Sequence, residues 1–251
     1  MIREKPSRRA SSRPLVSVVI PVFNARRFLP EAIASVQAQT FDDWELVIVD
    51  DGSYDGSAQL AQQLEPSARI VHHGSNRGLG AARNSGARAA AGCFVSFLSA
   101  DDLWDPGFLE RAVASALAQP RAVYFSRYRF IDEAGNGRFA LVIPRFHDAE
   151  SFRARTWEWA EARNCFVSFS AALFPRWLFD TVPFDEELRF NEDLLFLLQS
   201  MYQLPYVLVN AELGAYRLHK GQTTHRVLAE IPVQVDRILA RAKRELLGEA
   251  A

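Results

Sequence analysis

Phe94-Val95-Ser96-Phe97-Leu98-Ser99-Ala100-Asp101-Asp102 is an apolar run that stops at two adjacent carboxylates. Its length and residue types are those of a buried strand, bounded by Gly92 before it and Trp104-Asp105-Pro106-Gly107 after it. A strand ending there delivers two negative charges to one edge of a sheet. Neighbouring carboxylates repel unless a cation or hydrogen-bond donors stand between them. Hard oxygen ligands suit magnesium or manganese, and such a metal commonly holds substrate phosphates too. The pair also suits the N-cap of a helix from Pro106 to about Gln119, so the stretch alone admits both readings.

The residues before it settle the architecture. Val16-Ser17-Val18-Val19-Ile20 reads as a first strand ended by Pro21, followed by Val22-Phe23-Asn24. Phe28, Leu29, Ile33 and Val36 recur at helical spacing between about Arg27 and Gln39. Trp44 to Val49 is a second strand, and it also stops at a carboxylate pair, Asp50-Asp51. A helix from Gly56 through Leu64, a strand Arg69–His72, the loop Asn76–Gly80 and a small-residue helix Ala81–Ala91 follow. Alternating strands and helices specify an α/β fold with a mostly parallel central sheet and helices on both faces. Ligands of such sheets bind at the carboxyl ends of the strands. Both Asp-Asp pairs therefore belong on one rim, and a binding site is the better reading of the two together. Arg83, on the small-residue helix, suits forked contacts to phosphate, or else a surface or salt-bridged position.

Composition narrows the class. The 251 residues are 49% hydrophobic and 24% charged, with a formal net charge of -1, so no global field draws the chain to nucleic acid. Residues 1–13 carry Arg3, Lys5, Arg8, Arg9 and Arg13 among serines and a proline, and read as a disordered basic tail. That tail lacks the apolar core of a signal peptide, and no run approaches the ~18 apolar residues of a membrane span. Cys93 and Cys165 lie in apolar stretches and read as buried thiols, which fits a reducing cytoplasm.

Residues 15–105 resemble the inverting glycosyltransferases of family two, which have the GT-A fold. The resemblance rests on an ordered series of segments. It begins with Val18–Asn24, Ser35–Thr40, Glu45–Ser53 and Asp55-Gly56-Ser57. It continues with Asn76-Arg77-Gly78, Ala82–Gly86 and Ala100-Asp101-Asp102. The resemblance implies a Rossmann-like half over 14–120 that binds a nucleotide sugar, an acceptor half over 121–225, and a C-terminal helix over 226–251. It implies that Pro21, Val22, Phe23, Asn24 and Asp51 hold the base and ribose and that Arg83 contacts the nucleotide. Asp101 would reach the ribose or the metal, and Asp102 would ligate Mn²⁺ or Mg²⁺ on the diphosphate. Many members carry Asp where this chain has Ser99, which bears on the ligand set.

Beyond Gln119 the pattern weakens. Ala122–Ser126 reads as a strand and Asp132–Gly137 as a hairpin turn, while 138–164 shows little regularity. The Arg and Trp side chains of that segment (Arg145, Arg153, Arg155, Trp157, Trp159) suit an acceptor site or ordinary packing. Val167–Phe174 reads as a strand, and Leu194–Tyr202 as an apolar helix preceded by Glu192-Asp193. Those carboxylates suit a helix N-terminus in any protein. The resemblance makes Asp193 the catalytic base, with Glu192 its neighbour or substitute. Tyr206–Val209 reads as a late strand. Tyr216-Arg217-Leu218-His219 is similar to a late Tyr-Arg-x-His segment of the family, in which the His approaches the metal or the diphosphate. Residues 220–224 read as a flexible loop, and from Arg226 a helical pattern suits packing, subunit pairing or a membrane surface.

The function so implied is transfer of a sugar from a nucleoside-diphosphate sugar, a UDP-sugar foremost, to a glycan or lipid-linked acceptor hydroxyl. Surface polysaccharide or glycan assembly is the implied setting, in the cytoplasm or peripheral on the membrane's inner face. A nucleotidyltransferase would need a glycine-rich basic loop after the first strand, where Pro21-Val22-Phe23-Asn24-Ala25 stands. A nucleotide-sugar-binding protein without turnover is the remaining alternative, kept by Ser99.

Overall fold

The computed structural model describes residues 13–248. The basic tail of 1–13, Arg13 apart, lies outside the described residues. Four parallel strands form the first half of the sheet: β1 (Val16–Val22), β2 (Trp44–Asp50), β3 (Arg69–His72) and β4 (Phe94–Phe97). Helices α1 (Leu29–Gln37), α2 (Ser57–Leu64) and α3 (Leu79–Ala89) connect them. β1 lies between β2 and β4, so the two Asp-Asp pairs follow the carboxyl ends of its two neighbours. α3 reaches β1 closely because Gly86 faces it: a Cβ there would lie 2.2 Å from Val19 Cγ1.

The sheet continues past β4 with mixed pairing. Next come β5 (Leu103–Trp104), α4 (Phe108–Ala118), β6 (Val123–Ile131), β7 (Gly137–Ala140) and α5 (Ala149–Glu161). A 3₁₀ turn (Phe169–Ala171), β8 (Ala172–Pro175), α6 (Leu178–Thr181) and α7 (Glu192–Ser200) follow. β9 (Tyr206–Arg217), α8 (Thr223–Arg226) and α9 (Ile231–Leu247) end the described chain. The strand order is β3-β2-β1-β4-β8-β6-β9-β5, with β7 beside β6. One sheet thus runs through both halves of the chain. Among the described residues no helix is long and apolar enough to cross a membrane.

Alternation along the strands splits the core into two layers. Val18, Ile20, Leu46 and Ile48 face one layer with Leu29, Ile33, Leu109 and Val113 of α1 and α4. Val19, Val47, Val95 and Phe97 face the other, with Phe152 of α5, Phe196 of α7 and Ile238 of α9. Phe97, Phe169, Phe174, Phe179, Phe184 and Phe196 interlock in the second layer, each burial contributing roughly 1.5–3 kcal/mol.

Several expectations are corrected. The segment 138–164 holds β7 and the 13-residue α5, whose start is fixed by a capping box between Asp148 and Ser151. Phe152, Thr156 and Ala160 give α5 its buried stripe. Most of the strand expected over Val167–Phe174 is irregular or 3₁₀ backbone, and only β8 pairs, because Ser170 turns the chain to reach Ser99. Residues 223–226 form a short helix rather than loop, and the last helix starts at Ile231, with Pro232 in its first turn. Cys93 and Cys165 are exposed. Cys93 precedes the buried part of β4, and Cys165 lies in the irregular stretch after α5. α9 packs through Val235, Ile238, Leu239 and Ala242, which accounts for the helical pattern there.

Candidate active site

Three groups of side chains converge along the carboxyl rim. The first is built by the turns after β1 and β2. Asn24 adopts a left-handed conformation (φ 51°), its amide N–H donating to Ser53 Oγ and its side-chain oxygen accepting from Tyr54 N–H, both at 3.0 Å. Ala25 N–H donates to Ser57 Oγ, and Arg26 N–H to Asp55. These bonds leave Phe23 and Tyr54 outside, 44% and 86% exposed, edge to face at 6.4 Å. Exposed aromatic rings flanking a strand end form a surface suited to a planar base. Pro21 is half-buried and Val22 is buried, so of this pair only Pro21 has surface to offer.

Asp51 is buried, and its oxygens are engaged within the chain. Oδ1 meets His73 Nδ1 at 2.6 Å and Arg77 N–H at 2.9 Å, and Oδ2 accepts Gly78 N–H at 2.9 Å. His73 Nε2 in turn meets Ser85 Oγ at 2.9 Å. Asp51 therefore anchors the 73–78 loop onto the rim. Gly52 is required beside it: φ is +79° and a Cβ would lie 2.7 Å from Ser75 backbone.

The second group centres on Asp101 and Asp102, which diverge. Asp101 faces outward, its Oδ2 2.9 Å from His219 Nε2. Asp102 turns inward and is 1% exposed, its Oδ1 accepting Arg217 N–H at 3.0 Å. Its Oδ2 is buried without a hydrogen bond of good geometry. Burial, reinforced by the Asp101 charge, pushes the Asp102 carboxyl up to about 8, against Ser170, the Arg217 N–H and Ser99. Ser99 and Ser170 hydroxyls are 2.9 Å apart, so the residue replacing the family's Asp is directed at the 3₁₀ turn.

The third group lies at the start of α7. Glu192 and Arg83, expected near the nucleotide and the reaction, instead form a buried ion pair at 2.5 Å. Arg83 lies over Phe97, Phe169 and Phe184, and neither partner presents surface to a ligand. Burial pushes the Glu192 carboxyl up while Arg83 pulls it back. Asp193, half-buried in the first turn of α7, accepts Leu194 N–H at 2.8 Å. Tyr128 and Tyr216, with rings 6.4 Å apart, stand near both Asp102 and Asp193. Burial first, then the Asp102 charge, raises the Tyr216 phenol to about 12.

Sequence reasoning did not single out Tyr128, and quoted Tyr216 and Arg217 without giving them roles. Arg217 is 0% exposed, although its type favours the surface. Only its place in the motif with His219 pointed to it.

A divalent cation suits the Asp101–His219 pair. A carboxylate oxygen and an imidazole nitrogen about 3 Å apart match neighbouring positions around an ion with ligands at ~2.1 Å. The orphaned Asp102 Oδ2 lies buried behind them. Among the described residues no three His, Cys, Asp or Glu side chains gather as a closed metal site. Phosphate oxygens of a substrate and water are the usual further ligands of such an ion.

An uncharacterized glycosyltransferase of Rickettsia prowazekii is 28% identical over 87% of this chain and 68% of its own length. A putative teichuronic acid biosynthesis glycosyltransferase of Bacillus subtilis, TuaG, is 35% identical over 49% of this chain and half of its own length. Staphylococcus aureus TarS 1–349, solved with UDP-GlcNAc, superposes with a TM-score of 0.69 over 92% of this chain and 73% of that one, at 20% identity. The mannosyltransferase PcManGT of Pyrobaculum calidifontis, solved with GDP-Man and Mn²⁺, gives 0.64 over 95% of this chain and 66% of that one, at 18% identity. These two establish the GT-A fold. Residues 17–182 match the model of Glycosyl transferase family 2, and the chain belongs to that family.

Proposed function

We propose that this glycosyltransferase moves a sugar from a nucleoside-diphosphate sugar to the hydroxyl of a glycan or lipid-linked glycan, with inversion. The observation that carries this reading is the placement of two chemical groups on one rim. Asp101 and His219 form a carboxylate–imidazole pair of a spacing that suits a cation, and Asp193 is a half-buried carboxylate within electrostatic reach of the Tyr128 and Tyr216 phenols.

The residues divide the work as follows. Phe23 and Asn24 form the rim surface for the base, and Asp51 shapes the 73–78 loop beside it. Asp101 and His219 hold a divalent cation, which when bound neutralises negative charge on the departing diphosphate. Asp193 takes the proton of the acceptor hydroxyl as that oxygen bonds to the anomeric carbon. The bond from the anomeric carbon to the phosphate oxygen breaks on the opposite face, its electron pair leaving with the nucleoside diphosphate. The Glu192–Arg83 pair fixes the start of α7 and hence Asp193. Asp102 acts from behind, as the acceptor of the Arg217 N–H.

UDP-sugars are the first donors to test, because TarS was solved with UDP-GlcNAc, and GDP-mannose the second, after PcManGT. The decisive experiment incubates the chain with manganese and a panel of UDP-, GDP- and dTDP-sugars, and follows nucleoside diphosphate release. Release from one donor class, lost in Asp101→Asn, supports the reading. Neither release nor donor binding across the panel, in folded protein, refutes it.

A further inference from the structure

Arg217 has the largest side chain among the fully buried residues, with 0% exposure, and it lies directly behind the cation pair. Its Nε donates to the Asp101 carbonyl at 2.9 Å, and its backbone N–H donates to the Asp102 carboxylate at 3.0 Å. Nη1 donates to the Glu133 carbonyl at 2.9 Å in the β6–β7 turn, and Nη2 to Glu31 Oε2 of α1 at 2.7 Å. One residue thus ties four separated segments together: 101–102, 132–133, α1 and the end of β9. Phe28 completes the arrangement, with the guanidinium 4.8 Å from its ring centre and the His219 ring 4.7 Å away. The carbonyl of Arg217 is held by the Gln222 side chain, and Gln222 also accepts the His219 N–H at 3.2 Å.

From this we infer that Arg217 is the positioning residue of the cation site, setting the separation and orientation of Asp101 and His219 without touching donor or metal. This rests on the cation reading given above. The physical reason lies in the loop ends that carry the pair. β5 begins just after Asp102 and pairs with β9 at Leu103–Ala215 and Trp104–Gly214, so a ladder already joins the two segments. Asp101 and His219 lie beyond the same end of that ladder, and there the Arg217 guanidinium extends the link through the Asp101 backbone. A buried positive charge beside a cation site would repel the ion. Glu31 neutralises it, and burial makes that partner necessary. The donors are turned to the chain and the side chain has no exposed surface, so Arg217 acts through Asp101 and His219.

The test uses two variants and two affinities. Glu31→Gln removes the neutralising charge from a half-exposed side chain but keeps an acceptor oxygen for Nη2, and circular dichroism of the variant checks its fold. Arg217→Lys keeps the charge but loses the fork that reaches Asp101, Glu133 and Glu31 together. Manganese is titrated by electron paramagnetic resonance with UDP present, or GDP where the donor panel selects it, and the nucleotide alone is titrated without metal. The expected result is a 10–100-fold weaker manganese affinity in Arg217→Lys, a smaller loss in Glu31→Gln, and metal-free nucleotide affinity within about twofold of wild type. Manganese affinity unchanged in both variants overturns the inference and leaves the cation reading standing. Equal losses with and without metal overturn it as well, since they mark a general structural role. A wild type that binds no manganese removes the cation reading and this inference with it.

Discussion

Arg83 Nη1 and Glu192 Oε1, 109 residues apart in the chain, meet at 2.5 Å in an ion pair buried on both sides. The pair joins α3, which packs on the nucleotide half of the sheet, to the first turn of α7, which carries Asp193. It therefore links the two halves at the point where donor and acceptor must meet. Three phenylalanine rings surround the guanidinium, so water cannot replace a lost partner.

Glu192→Gln leaves Arg83 charged and unpaired in that enclosure. The expected cost is about 3–5 kcal/mol of unfolding free energy, read by urea titration. The double variant Arg83→Met, Glu192→Leu removes both charges and should recover most of that loss. A single variant as stable as wild type would show that the pair is not held closed in solution.

Asp102 gives the chain an unusual pH dependence. Its carboxyl is pushed up to about 8 in the fold from 3.8, so between roughly pH 4 and 8 the folded state keeps a proton that the unfolded chain has lost. The stability it contributes is fully present below about pH 4 and is lost as pH rises towards 8, at up to about 1.4 kcal/mol per unit. Metal-free wild type should therefore lose stability between pH 5 and 8 more steeply than Asp102→Asn. Parallel profiles for the two proteins would contradict the assignment.

Gly86→Ala tests the close approach of α3 to the sheet. The new methyl would stand 2.2 Å from Val19 Cγ1 and 3.2 Å from Val49 Cγ2, both in the fully buried layer. Overpacking of this kind costs about 1–3 kcal/mol, despite the better helix propensity of alanine. Thermal unfolding should show a lower midpoint; an unchanged or raised one would mean that the helix shifts freely along β1.

The parallel half was readable because β1, β2 and β4 are short apolar runs with helices between them at clear spacing, although Pro21, read as the end of β1, lies within it opposite Val49. The rim position of both Asp-Asp pairs followed from topology alone. The direction of each carboxylate did not. Asp51 and Asp102 face inward because His73, Arg77, Gly78 and Arg217 offer donors there, and those residues lie 22 to 115 positions away. α5 was missed because its fully buried positions are few and its tryptophans, half-buried against the core, alternate with arginine and glutamate; the Asp148–Ser151 cap was its local mark. Only Tyr206–Val209 of β9 read as a strand; the rest of it, through Arg217, follows a stretch of polar and small residues where the register against β6 shifts near Arg127. Arg83 shows the limit most plainly: sequence alone left it between nucleotide contact and salt bridge, and its partner stands 109 residues on.

Asp193→Asn separates chemistry from binding. The carboxylate sits in the first turn of α7. The phenols of Tyr128 and Tyr216, within electrostatic reach of both Asp193 and Asp102, are raised well above their usual range, chiefly by burial, and stay protonated across the working pH range. Of the two acidic residues at the start of α7, only Asp193 has surface to offer, since Glu192 is buried against Arg83. The asparagine keeps shape and the hydrogen bond to Leu194 but cannot accept the acceptor's proton. Turnover should fall about 10²–10⁴-fold, with donor affinity by calorimetry within about twofold of wild type. Glu192→Gln should differ in kind, losing stability first and activity in proportion to unfolding. If Asp193→Asn turns over normally, the base is another group, and the inward-facing phenols become the next residues to replace.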